Sequence, residues 1–195
     1  WETGSAPGPT FGEWITRKRH QVTPAGNLGY TLLAALAGGP FAILGAFLAG
    51  QQGAAMAVYV VLVGPIVEEL LKHSGMVFLL ERKPYRLFSA AQFVFAATVS
   101  ALIFATVENL VYIHVYALAS PLDHPAMFAE FRWTVCTALH VSCSVIASLG
   151  LIRVWHRMNE RGEPADLAHA YPFFAIAMAL HGLYNGAALF LGDLF

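Results

Sequence analysis

AAMAVYVVLVGPIVEELLKHSGMVFLL, residues 54–80, is long enough to cross a membrane and yet carries Glu68, Glu69, Lys72 and His73 near its middle. A membrane helix needs about 20 mostly apolar residues, and this stretch supplies them on both sides of its charges. At the centre of a bilayer each charged side chain costs about 2.5–3.5 kcal/mol on insertion scales. Charges persist there when they do something, so the segment reads both as a membrane helix and as the carrier of a site.

The whole chain has the same character. Of its 195 residues 57% are apolar and 12% charged, with a mean hydropathy of +0.60. A soluble domain carries about 25% charge, so this is an all-α membrane protein. The net charge of −1 leaves no basic footprint for nucleic acid. Cys136 and Cys143 lie in one apolar segment without a CxxC spacing, and no disulfide framework is expected. Residues 1–27 are rich in Gly and Pro and polar, and show no cleavable signal sequence.

Five segments qualify as spans: 28–50, 54–80, 88–119, 131–155 and 171–194. They predict a polytopic helix bundle, with 1–27 as a polar N-terminal segment and 28–195 as one transmembrane domain. Gly38, Gly39 and Pro40 are expected to kink the first span, and Gly38, Ala42, Ala46 and Gly50 form a small-residue stripe suited to close packing. The third segment exceeds the bilayer and must tilt, protrude or break. The basic residues test the count. Arg17, Lys18 and Arg19 precede the first span, Arg82, Lys83 and Arg86 follow the second, and Arg153, Arg157 and Arg161 follow the fourth. Five spans put these nine of the eleven Lys and Arg on one side, which the positive-inside rule makes the cytoplasm. The N-terminus is then cytoplasmic and the C-terminus outside.

Counted from the expected outer face, Glu68, Glu108, His140 and His181 lie about 9–14 residues in, roughly 14–21 Å deep. Four helices thus deliver an acid or an imidazole to one level. Glu68 and Lys72, at i,i+4, are expected to pair, and His73 and His114 to serve packing. Several hydrolytic chemistries drop out. Asp123, Asp166 and Asp193 are the only aspartates, and all lie in loops or at the chain end, which excludes a two-aspartate protease. HExxH and GxSxG are absent. Cys143 and Ser144 sit one turn from His140, but a thiol on an apolar helix is usually inert. Glutamates, histidines and an amide remain. Glu69 could act as general base, Glu108 as its partner, His140 as an acid or water-positioning group, and His181 with Asn185 as donors to the oxyanion. Glu68, Lys72, Asn109 and Arg132 would support them. Glu69, Glu108, His140 and His181 also make a plausible Zn²⁺ set, so metal-free and zinc-dependent hydrolysis both stay open.

EELLK (68–72), FATVEN (104–109), Arg132 with His140, and HGLYN (181–185) together resemble the blocks of PrsW-type intramembrane proteases, relatives of the CAAX prenyl endoproteases and of the bacteriocin-processing CPBP proteins. The blocks run in order across residues 64–190. Lys72 in place of Arg, and Glu108-Asn109 in place of an FxxxH pattern, set the chain nearer the PrsW branch than the CAAX branch. The resemblance implies a protease of a prokaryotic plasma membrane that cuts a membrane-anchored protein such as an anti-sigma factor, in the metal-free form. The alternatives are a CAAX or peptide-maturation protease, a proton or ion pathway, and a non-catalytic scaffold. His181 with Asn185 speaks against a pump, which has little use for such donors beside Glu69.

Overall fold

The computed structural model describes residues 8–38, 57–117 and 124–191. Among them every regular element is helical. The chain runs through α1 (Phe11–Arg19), α2 (Pro24–Gly38), α3 (Gly64–Arg82), α4 (Ala90–Val111), α5 (Pro125–Phe131), α6 (Thr137–Arg161) and α7 (Tyr171–Leu191). Three stretches are long and apolar enough to cross a membrane: Ala90–Val115, Pro125–Arg161 and Leu167–Leu189. α3 carries five charged residues inside and at the end of its apolar run, Glu68, Glu69, Lys72, Glu81 and Arg82. The proposed kink at Gly39 and Pro40, and Ala42, Ala46 and Gly50 of the small-residue stripe, lie outside the described residues. The molecule is an all-α membrane bundle.

Inside a bilayer, helices gain little from hiding apolar surface from one another, so close packing across small residues must hold them together. α2 and α3 show this. A Cβ at Gly75 would overlap the carbonyl of Ala34, and one at Gly38 would come within 2.7 Å of the Lys72 Cα. Neither contact is possible for any residue but glycine. α6 packs against α4 and α7, and α3 against α7, so α6 and α3 form the middle of the bundle.

Several boundaries differ from the sequence expectation: α2 starts at Pro24 rather than 28, and the fourth apolar stretch at Pro125 rather than 131. The fourth span continues to Arg161 rather than ending at 155, because Val154, Trp155 and Met158 stay buried on a helix that only Gly162, left-handed at φ 64°, brings to an end. α1 also forms within the polar N-terminal segment. Thr10 and Glu13 make a capping box at its start, with Arg17, Lys18 and Arg19 in its last turn, where the helix dipole favours cations. Its end docks through Arg19, which donates to the Leu87 carbonyl at 3.1 Å and to Asn159 Oδ1 at 2.9 Å. Trp155 Nε1 donates to the same carbonyl at 3.2 Å. These bonds bring the segments that carry the three basic clusters together at one end of the bundle.

Among the described residues three π-helical turns interrupt the helices, at Tyr59–Val63, Tyr112–Tyr116 and Arg132–Cys136. They lead into α3, follow α4 and lead into α6. Each adjoins a helix that carries a polar block, and such bulges recur at functional sites. The segment expected at 88–119 therefore changes winding near its far end instead of running as one uniform α-helix.

Candidate active site

α3, α4, α6 and α7 bring their polar residues into direct contact. Glu69 and Lys72 are fully enclosed, and Glu68, Glu108, His140 and His181 are buried around them. Glu69 lies 13 residues before the end of α3 and His140 15 residues before Trp155, so the cluster sits about 20 Å from the basic end.

The adjacent glutamates take other partners than expected. Lys72 Nζ pairs with Glu69 Oε1 at 2.5 Å, three residues back, and not with Glu68. Lys72 is drawn toward α4 and α6: its Nζ also lies 3.2 Å from His140 Nδ1 and 4.9 Å from the centre of the Phe104 ring. Glu69 turns inward with it. The same Glu69 oxygen accepts from His181 Nδ1 at 3.0 Å, and Ser144 Oγ approaches Glu69 Oε2 at 3.5 Å. Glu69 is thus a brace between α3, α6 and α7.

Glu108 is committed in the same way. Its Oε2 accepts from Arg132 Nη2 at 2.6 Å and from His140 Nε2 at 2.9 Å. Asn109 holds Arg132 in turn: its Oδ1 accepts from Arg132 Nε, and its amide donates to the Arg132 carbonyl, both at 3.0 Å. The Arg132 guanidinium also stacks on Tyr112 at 4.1 Å. Such a bidentate, stacked site suits arginine and would not suit lysine.

Glu68 is left over. Its Oε2 is buried and has no hydrogen-bond partner, and it faces His181 Nε2 across 3.6 Å. With His181 Nδ1 bonded to Glu69, Nε2 is the ring nitrogen that faces the Glu68 carboxylate oxygen. Two electron-rich atoms hold that position comfortably only with a cation or a proton between them. Ligand atoms of Glu68, His140 and His181 lie within 4.8 Å of one another. This triad shares His140 and His181 with the expected set of Glu69, Glu108, His140 and His181; Glu68 enters it with an unpaired Oε2, whereas Glu69 Oε1 and Glu108 Oε2 are engaged by Lys72, His181, Arg132 and His140.

Asn185, expected as a donor to the oxyanion, donates to the Val60 carbonyl at 3.0 Å. His114 is exposed and stands apart from the cluster. Two residues not expected among the site residues touch the cluster. Ser144, dismissed together with Cys143, touches Glu69. His73 bridges the carbonyls of Glu69 and Ser144 at 2.8 and 3.0 Å; its i,i+4 spacing from Glu69 was the available signal.

Carboxylates and imidazoles thus meet inside a membrane helix bundle, with Glu68 Oε2 buried and unpaired among them. Residues 24–195 match the PrsW family of intramembrane metalloproteases. The chain belongs to that family and is an intramembrane peptidase. No curated protein and no solved structure matches it.

Proposed function

We propose that the chain cuts a membrane-anchored protein at a peptide bond within the bilayer, using water activated at Glu68, His140 and His181. The observation that carries this reading is the buried, unpaired Glu68 Oε2 opposite His181 Nε2 at 3.6 Å. Two ligands about 2.1 Å from a tetrahedral Zn²⁺ stand about 3.4 Å apart, so this pair fits the metal that the family description implies. His140 would be the third ligand, its nitrogens otherwise shared with Lys72 and Glu108. Bound there, the metal would lower the pKa of a water and polarise the scissile carbonyl.

The other residues prepare that site. Glu69 takes the proton-bearing nitrogen of His181 and so fixes its tautomer, as carboxylates behind metal-binding histidines commonly do. Lys72 compensates the Glu69 charge. Arg132 and Asn109 hold Glu108 against His140. In the metal-free version Glu68 itself takes the proton from water; the same unpaired oxygen supports it.

By resemblance the substrate is an anti-sigma-factor-like single-span protein, and the membrane a prokaryotic plasma membrane with the basic end of the bundle inward. Metal analysis of purified protein tests the preferred version. About one equivalent of Zn²⁺, lost in His181→Ala, is the expected result. Metal-stripped protein that still cleaves would leave only the Glu68 base.

A further inference from the structure

A cleft of about 480 Å³ opens between α1 and the end of α6, at the basic end and far from the catalytic cluster. Arg19, Thr16, His156 and Asn159 give it polar walls, Phe88 and Trp155 give it apolar ones, and no Asp or Glu lines it. Arg19 is the informative residue. Its two hydrogen bonds run to neutral oxygens, the Leu87 carbonyl and the Asn159 amide. Its Nε is buried without any partner. None of the ion pairs among the described residues includes it, and burial lowers its pKa from the ordinary arginine value. A partly desolvated guanidinium with only neutral partners and an idle donor lacks an anion.

The surroundings choose among anions. The cleft lies where the long helix Pro125–Arg161 reaches its basic end, and its walls are half apolar. A tryptophan beside cations is typical of the headgroup level of a bilayer, and clustered Lys and Arg there attract anionic lipid. We propose that this cleft binds the headgroup of an anionic phospholipid, with the phosphate on Arg19 and the glycerol and upper acyl chain along Phe88 and Trp155. The bound lipid would also pin α1 to α6.

Native mass spectrometry of the intact chain, released from nanodiscs of equal parts phosphatidylglycerol and phosphatidylcholine, tests the proposal. Wild type should retain one phosphatidylglycerol in preference to phosphatidylcholine. Arg19→Gln should cut that retention about tenfold or more, the scale of one charge-assisted hydrogen bond. Gly12→Leu should do the same by filling the cleft. A Cβ there meets only the Gly162 Cα, at 3.7 Å, and Arg19 keeps its bonds, so this variant decides the matter even where Arg19→Gln unfolds. Equal retention of both lipids, unchanged retention in Gly12→Leu, or ready displacement by millimolar inorganic phosphate would each overturn the proposal.

Discussion

Asn185 Nδ2 donates a 3.0 Å hydrogen bond to the Val60 carbonyl, tying α7 to the π turn that leads into α3. A π turn disturbs the regular α-helical bonding of its carbonyls, and a buried carbonyl without a partner is costly. Asn185→Ala should therefore destabilise the protein by about 1–3 kcal/mol and slow cleavage less than the 10²–10³-fold typical of a lost oxyanion donor. Unfolding midpoint and turnover, measured on the same preparation, separate the two. A thousandfold slower enzyme of unchanged stability would mean that the amide touches the substrate.

Glu69→Gln and Lys72→Met should fail as structure before they fail as chemistry. Breaking a buried ion pair by removing one partner costs about 3–5 kcal/mol, whereas replacing both can be nearly neutral. The double variant should regain folded protein, read as monodisperse material after detergent extraction. Recovery no better than that of the single variants would contradict the pairing.

The fold was largely legible and the wiring of the site was not. Hydropathy found the helices, because apolar length is what a bilayer selects. Spacing on separate helices also identified Glu68, Glu108, His140 and His181 as one layer. Glu68 and Glu69, however, are equally acidic and adjacent, and the choice between them rests on where Lys72 finds Phe104 and His140, which is tertiary information. The same holds for Asn185: an i,i+4 spacing from His181 gives a shared face, but the π turn at Tyr59–Val63 that claims its amide has no simple sequence signature.

Gly75→Leu should separate α2 from α3, since even a Cβ overlaps the Ala34 carbonyl. Overpacking of this kind costs about 1–3 kcal/mol. The change lies six residues from Glu69 and touches no catalytic side chain, so loss of thermal stability should exceed any change in metal binding. A Gly75→Leu protein as stable as wild type would mean that the helices are not in contact there.

Single cysteines at Glu163 and His124, both exposed, test the orientation in place of the native thiols, which are buried. With an impermeant reagent on intact cells, the cysteine at 124 should label and that at 163 should not. The reverse pattern would place the basic end outside.

The central claim is that Glu68, and not its neighbour, activates the attacking water. The most direct measurement is cleavage of a reconstituted single-span substrate by wild type and Glu68→Gln at matched levels of folded protein. Glu68→Gln keeps the volume of the side chain and removes its charge, and it should fold and lose nearly all activity. Wild-type cleavage by Glu68→Gln would contradict the account.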